Sequence, residues 1–383
     1  VNASTQILHA LLDNGVFLHD WSSDELKKLL PILEAANERV LGKIAATNGE
    51  WTKQWLIEMK GELDDIYGAA AVDIEKRLMP DLKDLAAYEA QHLPDVFGKV
   101  LVGVSTSAPS ATQLWAAVTK LPVMEGSTIG DLLAALPLDA SSKIVSTIQS
   151  GMAAGDTTQQ LVQRIRGKVV SPEQYVNAKT GKRLVGYTTA DLEKMAEKGI
   201  AKYKPGVYKG GVMEGATTRS AEVIARTATM HVGNQAREAF YEKNTDIIKG
   251  YQRVETLDLH TCPICGAMDG AEYGPDDPRP ELPEHPECRG VYTPILKSFE
   301  DIGIDAADLP PSTRASMDGQ VPEFETYSDW LSKASGARRI EALGPSRAAL
   351  YQQGVGLDQM VKDGKLVPLK DLNAPKDMAK GAA

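Results

Sequence analysis

Apolar residues recur at helical spacing through the N-terminal third of the chain. Leu26, Leu29, Leu30, Leu33, Ala36, Val40 and Ile44 fall near one helix face, and Ser22-Ser23-Asp24-Glu25 ahead of them has the form of a capping box, Ser22 capping and Glu25 reaching back. A second amphipathic run begins near Trp51 and carries Trp55, Met59, Leu63, Ile66, Tyr67 and Ala70 on one face. It is expected to be interrupted at Pro80, which has no N–H to give a helix. Trp51 and Trp55, one turn apart, read as core rather than as a partner-binding stripe. Residues 80–95 read as helix again, and the Gly, Ser and Pro of Gly103–Ser110 as a joint.

Shorter helical runs follow around Leu114–Leu121, Ile129–Leu136 and Ser141–Ala153, and Asp156-Thr157-Thr158-Gln159 reads as a capping box opening Leu161–Ile165. Residues 169–187 break the pattern: Pro172, Asn177, Gly181 and Gly186 punctuate β-prone Val185 and Tyr187, which predicts an inserted hairpin or contact arm. Thr217–Lys243 has no Pro and near-helical apolar spacing from Ala221 to Phe240, and is expected to be the central helix. Ile247, Ile248, Tyr251, Val254 and Thr256 then predict a strand. The C-terminal third reads as looser, with Pro310-Pro311, helices at Thr326–Ala334 and Ser346–Gln353, and an Ala/Lys tail after Pro375.

The pattern predicts a mainly α fold with long N-terminal helices, a central helix and a small α+β module of short strands, which the cysteine spacing described below makes a zinc-stabilised one. The expected division is a helical region 1–105, a domain 106–295 holding the 169–187 hairpin and a metal loop at 258–290, and a loosely structured region 296–383. The 383 residues are 43% hydrophobic and 25% charged, close to globular averages, which disfavours disorder and fibrous repeats. A net charge of −10 is the wrong sign for a surface that coats nucleic acid throughout, although a local basic patch is compatible with it. Val1–Thr5 lacks the features of a signal peptide and no apolar stretch approaches a membrane span, which points to expression in the cytoplasm and no membrane partner.

All three cysteines lie between Cys262 and Cys288, which argues for a metal site rather than a disulfide framework. Cys262-Pro263-Ile264-Cys265 and His285-Pro286-Glu287-Cys288 are knuckles of identical spacing separated by 19 residues. A two-residue gap lets both side chains of a tight turn face one ion, and Cys262, Cys265, His285 and Cys288 would complete a closed zinc tetrahedron. The Pro- and Gly-rich segment between them cannot build its own core, so a structural Zn2+ would supply the cross-link. Catalytic zinc needs an open position and a nearby base, and a Cys3His set is usually closed. His260 reads as a bystander, and Asp258, Asp269, Asp276 and Asp277 as turn carboxylates that satisfy backbone N–H groups.

These residues carry a resemblance. Arg226-Thr227-Ala228 in a long helix, Leu257-Asp258-Leu259-His260-Thr261-Cys262-Pro263-Ile264-Cys265-Gly266-Ala267-Met268-Asp269-Gly270, and His285-Pro286-Glu287-Cys288-Arg289 resemble the phage Mu F-like minor head (head morphogenesis) family. Its motif is a helical Arg-Thr pair, Asp-x-x-Thr-Cys-x-x-Cys-x-x-x-Asp-Gly and a closing His-Pro-x-Cys-Arg. The match covers about residues 140–295. Trp330-Leu331, Leu343-Gly344-Pro345-Ser346-Arg347 and Leu350-Tyr351 are similar to a tail segment of many phage members, whereas residues 1–139 carry no such resemblance. Members often place Glu where this chain has Ala228 and often end Cys-Arg-Cys where it has Gly290, which leaves Cys288 as the candidate for the last ligand.

The resemblance implies a structural, non-enzymatic minor capsid protein of the virion, assembled in the host cytoplasm. Its implied partners are a portal protein oligomer, other capsid or internal head proteins and, as a further candidate, packaged double-stranded DNA; its implied roles are head assembly and genome delivery. Two other classes compete. One is a zinc-dependent hydrolase of DNA or cell wall with Asp258 or Asp269 as base, against which no His-Glu-x-x-His set occurs. The other is a zinc-ribbon nucleic-acid-binding module, against which residues 255–290 hold nine acidic residues and only Arg279 and Arg289 as bases. If DNA is touched, Lys202, Lys204, Lys209, Arg219 and Arg226 are the better candidates.

Overall fold

The computed structural model describes residues 3–47, 51–101, 104–124, 126–171, 174–204, 207–298 and 313–372. Gly103 of the expected joint, Pro310-Pro311 and the tail after Pro375 lie outside them. Helices α1 (Ala3–Ala45) and α2 (Lys53–Val100) are each unbroken. The segment expected to start a helix at Ser22 is mid-helix: the Ser22 hydroxyl donates to the His19 carbonyl at 2.7 Å, and Ser22 and Glu25 are buried. Similarly, α2 runs through Pro80 and Pro94. A proline removes one hydrogen bond from a helix, but the apolar face continues across the break with Leu78 and Leu82 fully buried, and that packing holds the helix together.

Helix α3 (Ala111–Lys120) and α4 (Ile129–Ala154) follow, α4 joining across Pro137 the two runs expected separately. Helix α5 (Thr158–Arg166) opens on a capping box of Thr157 and Gln160, one residue later than expected, while Asp156 pairs with Arg164. Next comes an arm. Strands β1 (Gly167–Ser171), β2 (Gln174–Asn177), β3 (Ala201–Lys204) and β4 (Val207–Gly210) form two nested antiparallel ladders, β1 with β4 and β2 with β3, and helix α6 (Thr189–Glu197) joins β2 to β3. The arm spans 167–210, wider than the hairpin expected over 169–187; within that range the chain does turn back through an antiparallel bridge of Val176 with Arg183, but the longer ladders pair residues 24 to 43 positions apart, which local periodicity does not reveal. Chain entry and exit are tight: a Cβ on Gly211 would lie 2.3 Å from the backbone nitrogen of Gly167.

Helix α7 (Arg219–Tyr241) follows a π turn at Glu214–Thr218. Then come β5 (Ile248–Val254), the single-turn α8 (Pro263–Met268), β6 (Glu272–Tyr273) and β7 (Val291–Leu296), with β5 central in an antiparallel sheet of order β6-β5-β7. The last described stretch holds the β8 (Thr313–Ser316) and β9 (Gly319–Pro322) hairpin, then α9 (Tyr327–Lys333), α10 (Gly336–Gln352) and α11 (Leu357–Met360). The fold is mainly helical with a few short strands. No helix among the described residues is long and apolar enough to cross a membrane.

The chain forms two compact units, each built from discontinuous segments. One comprises Leu26–Arg77 and Asp131–Glu222; its core packs Val40, Ile44, Leu63, Tyr67, Ile144, Ile148, Leu161 and Ile165, with Trp51 and Trp55 partly buried against it. The other comprises Val1–Glu25, Leu78–Gly130 and Val223–Ala383. Its core draws Ile7 and Leu11 from α1, Leu93 and Phe97 from α2, Phe240 and Tyr241 from α7 and Tyr251 and Tyr292 from the sheet, together with Cys265 and Cys288. Residues 313–372, expected to be loose, bury Tyr327, Trp330, Leu331, Leu343, Val355 and Met360 around Leu257. Each of these short helices is too small to be stable alone, and shared burial organises them.

Candidate metal centre

Strand β5 leads into a turn in which the Asp258 carboxylate accepts from the backbone N–H of His260 at 2.9 Å and of Thr261 at 3.1 Å. That turn presents Cys262 as the N-cap of α8, with Pro263 at the first helical position where its missing N–H costs nothing. One helical turn then returns Cys265 beside Cys262, whose sulfur accepts the Cys265 backbone N–H at 3.4 Å. The second knuckle closes through the Cys288 N–H to the His285 carbonyl at 3.0 Å, with Glu287 in the left-handed region at φ 61°. A non-glycine residue there needs outside support. Arg226 donates to the Glu287 carboxylate at 2.7 Å, and the buried Thr227 hydroxyl accepts its N–H at 3.4 Å. The helical Arg-Thr pair thus anchors the closing knuckle.

The ligand atoms of Cys262, Cys265 and His285 lie within 4.8 Å of one another and could hold a metal ion. His285 Nε2 is 3.1 Å from Cys262 Sγ and 3.0 Å from Cys265 Sγ. Its Nδ1 lies 2.8 Å from the Pro286 carbonyl; donation there fixes the tautomer that leaves Nε2 free as a ligand. Cys288 is not in the mutual set, but its sulfur is 3.8 Å from Cys265 Sγ, against an edge of about 3.8 Å in a tetrahedron with Zn–S bonds of about 2.3 Å. A side chain at position 290 would have to displace the Glu255 carboxylate, because a Cβ on Gly290 would stand 2.2 Å from Glu255 Oε1. The exposed His260 is not part of the group.

Crowding of the thiols sets their ionisation. Hydrogen bonding with Cys265 brings the Cys262 thiol down to about 4 against the effect of burial, and likewise brings Cys288 down to about 6. Cys265, between those two sulfurs, is driven up instead, and the neighbouring Cys262 raises His285 to about 9. Three sulfurs this close cannot all ionise without a cation among them, which is the condition a soft divalent metal satisfies. The donor set therefore fits a zinc-type ion.

Arg253, Arg314 and Tyr327, which surround the cluster, were not singled out from sequence. Arg253, completely buried on β5, reaches Cys265 Sγ with Nη2 at 3.3 Å and holds Glu255 and Glu284 at 2.8 Å each. Burial opposes its charge, but Glu255 and the sulfurs of Cys265 and Cys288 more than offset that. Glu255 itself is pushed up to about 8, burial outweighing Arg253. Arg314 and Tyr327 complete the surround through Asp269. Its Oδ1 accepts the Glu255 N–H at 2.7 Å, and its Oδ2 accepts the Tyr327 N–H at 2.6 Å and Arg314 at 3.1 Å. An arginine within the predicted strand just upstream of the knuckles was the legible signal for Arg253; Arg314 carried none.

The carboxylates considered as catalytic bases are thus engaged in structure. Asp258 forms a two-pronged pair with Arg289 at 2.7 and 2.8 Å, and Asp269 is buried with Arg314. Asp277 accepts the Gly274 N–H at 2.7 Å, as expected of a turn residue, and Asp276 is exposed. The acidity of the loop is also smaller than its composition suggests. Glu255, Asp258, Asp269, Glu284 and Glu287 are all paired with arginines, three of which, Arg226, Arg253 and Arg314, lie outside 255–290.

Comparison with known families gives a match at this region. Residues 142–293 match the model of the family described as phage Mu protein F like protein. No curated protein and no solved structure matches the chain significantly.

Proposed function

We propose that this chain, whose residues 142–293 match the phage Mu protein F like family, is a minor head protein that acts structurally in head morphogenesis. In this reading it binds a portal oligomer and other head proteins, resides in the phage head after assembly in the host cytoplasm, and serves assembly and genome delivery without catalysis. A structural Zn2+ held by Cys262, Cys265, His285 and Cys288 ties the two knuckles together. When bound, the ion supplies a cross-link that a Pro- and Gly-rich loop cannot supply from its own side chains.

The observation that carries the reading is the engagement of every polar group expected to do chemistry. Asp258 and Asp269 are bound to arginines and backbone N–H groups, so neither is placed to take a proton from a metal-bound water. The Arg226-Thr227 pair supports the closing knuckle rather than a substrate. These features favour a rigid module over a hydrolytic centre.

The test is to probe purified particles for this chain before and after genome ejection. Its presence at a fixed ratio to the portal protein supports the reading. Its absence from particles, or a nuclease or cell-wall hydrolase activity that disappears in a folded Asp258→Asn variant, overturns it.

A further inference from the structure

Charge is unevenly distributed along this acidic chain. Residues 167–210 carry nine Lys/Arg against four Asp/Glu, a net of +5 where the whole chain is −10. All nine basic side chains are exposed, and none forms an ion pair among the described residues. This differs from the arginines of the metal centre, each of which has a carboxylate partner. It also narrows the candidates read from sequence: Arg219 is paired with Glu222 and Arg226 with Glu287, whereas Lys202, Lys204 and Lys209 are unpaired on the arm.

The arrangement costs stability in the isolated protein. Lys168 and Lys209 are direct cross-strand partners in the β1·β4 ladder, where like charges repel. Lys202 and Lys204 alternate onto one face of β3. Lys168, Val169 and Val170 are successive residues and all exposed, so both faces of β1 are solvated at these positions. A two-stranded ribbon without a packed face is marginal in water and gains from a partner that neutralises it.

We propose that the 167–210 arm is a sequence-independent docking surface for double-stranded DNA. A two-stranded β-ribbon has the width that the major groove of a duplex admits, and lysines along both strands then face the phosphates on either side. Lysine predominates over arginine, and the only amide side chains in the ladders are Gln174 and Asn177, the latter already accepting the Lys179 and Thr180 N–H groups, which suits phosphate contact over base readout. This inference goes beyond the head-protein reading and is tested without it, on the purified full chain, so the two can fail separately.

The experiment measures binding of a random-sequence 30-base-pair duplex by fluorescence anisotropy across a sodium chloride series. Three proteins are compared: wild type, a Lys168→Gln/Lys202→Gln/Lys204→Gln/Lys209→Gln variant, and a Lys83→Gln/Lys120→Gln/Lys243→Gln/Lys249→Gln control. The arm variant is expected to lower the slope of log affinity against log salt by about 0.9 for each lysine that contacts a phosphate, while the control keeps the wild-type slope. Circular dichroism and melting confirm that the variants fold. No wild-type binding at low salt, an equal loss in the control, or an unchanged slope in the arm variant each overturn the proposal. Poly-glutamate displacing the duplex at equal charge concentration would instead assign the arm to an acidic polypeptide.

Discussion

Arg253 donates to the sulfur of Cys265 at 3.3 Å from a position with no solvent exposure at all, and the same guanidinium holds Glu255 and Glu284. A buried cation beside a thiolate ligand balances the negative charge that three cysteines would bring to a bound divalent ion. Arg253→Lys keeps the charge but loses the fork, and is expected to weaken metal affinity by about 10- to 100-fold in competition against a chromophoric chelator. Arg253→Met strands Glu255 in the core and should cost about 3–5 kcal/mol in urea unfolding. Wild-type values for both variants would remove Arg253 from any account of the site.

The purified chain is expected to contain one zinc, and its removal should act locally. Chelation, or Cys265→Ser, should open residues 255–290 to protease while the core of Val40, Leu63, Tyr67 and Ile144 stays folded, because those residues pack in the other unit. Elemental analysis and mass spectrometry of the digest check this. A metal-free preparation with a protease-resistant loop contradicts it.

Asp269 gathers four donors from three segments: the Glu255 and Tyr327 N–H groups and two nitrogens of Arg314. Asp269→Asn keeps the shape, turns one acceptor into a donor and leaves Arg314 without its counter-charge. It is expected to destabilise the chain by about 3–5 kcal/mol and to raise hydrogen exchange over 313–372. Equal exchange in that segment would falsify the structural role of Asp269.

Gly266 lies against the Tyr327 ring so closely that an added Cβ would stand 2.3 Å from it. Gly266→Ala therefore has to push away the ring that anchors α9, whose hydroxyl donates to the Thr261 carbonyl at 3.1 Å. The expected cost is about 1–3 kcal/mol, read as a lower thermal midpoint, and Gly266→Ala/Tyr327→Leu should recover part of it.

His231 on α7 is buried, its Nε2 3.2 Å from the Val118 carbonyl, and burial lowers it to about 4 despite that contact. A histidine held neutral in the fold contributes full stability above its unfolded value near 6.5 and loses it as pH falls toward 4. Across that window the loss is about 3 kcal/mol. Urea midpoints at pH 7 and pH 4.5 should therefore differ less in His231→Gln than in wild type. An identical pH dependence in the two proteins would remove His231 as the cause.

The sequence by itself determined what local chemistry and spacing encode. The two knuckles announce a metal-capable turn pair because each needs only a two-residue gap, and the geometry brings Cys262, Cys265 and His285 together accordingly. Amphipathic periodicity placed α7, β5, the second half of α1 and most of α2, since a helix or strand face is a local property of the chain, while the first half of α1 was not read as helix. Tertiary structure decided the rest. Whether Pro80 ends a helix depends on the packing of Leu78 and Leu82 on either side of it, and whether Ser22 caps one depends on whether the turn before it is already helical. Two partners of Asp269 come from residues 45 and 58 positions further along, and those of Glu287 from 60 and 61 positions earlier. No window of sequence contains those pairs. Burial selects them, because a carboxylate taken out of water must find its donors wherever the fold brings them.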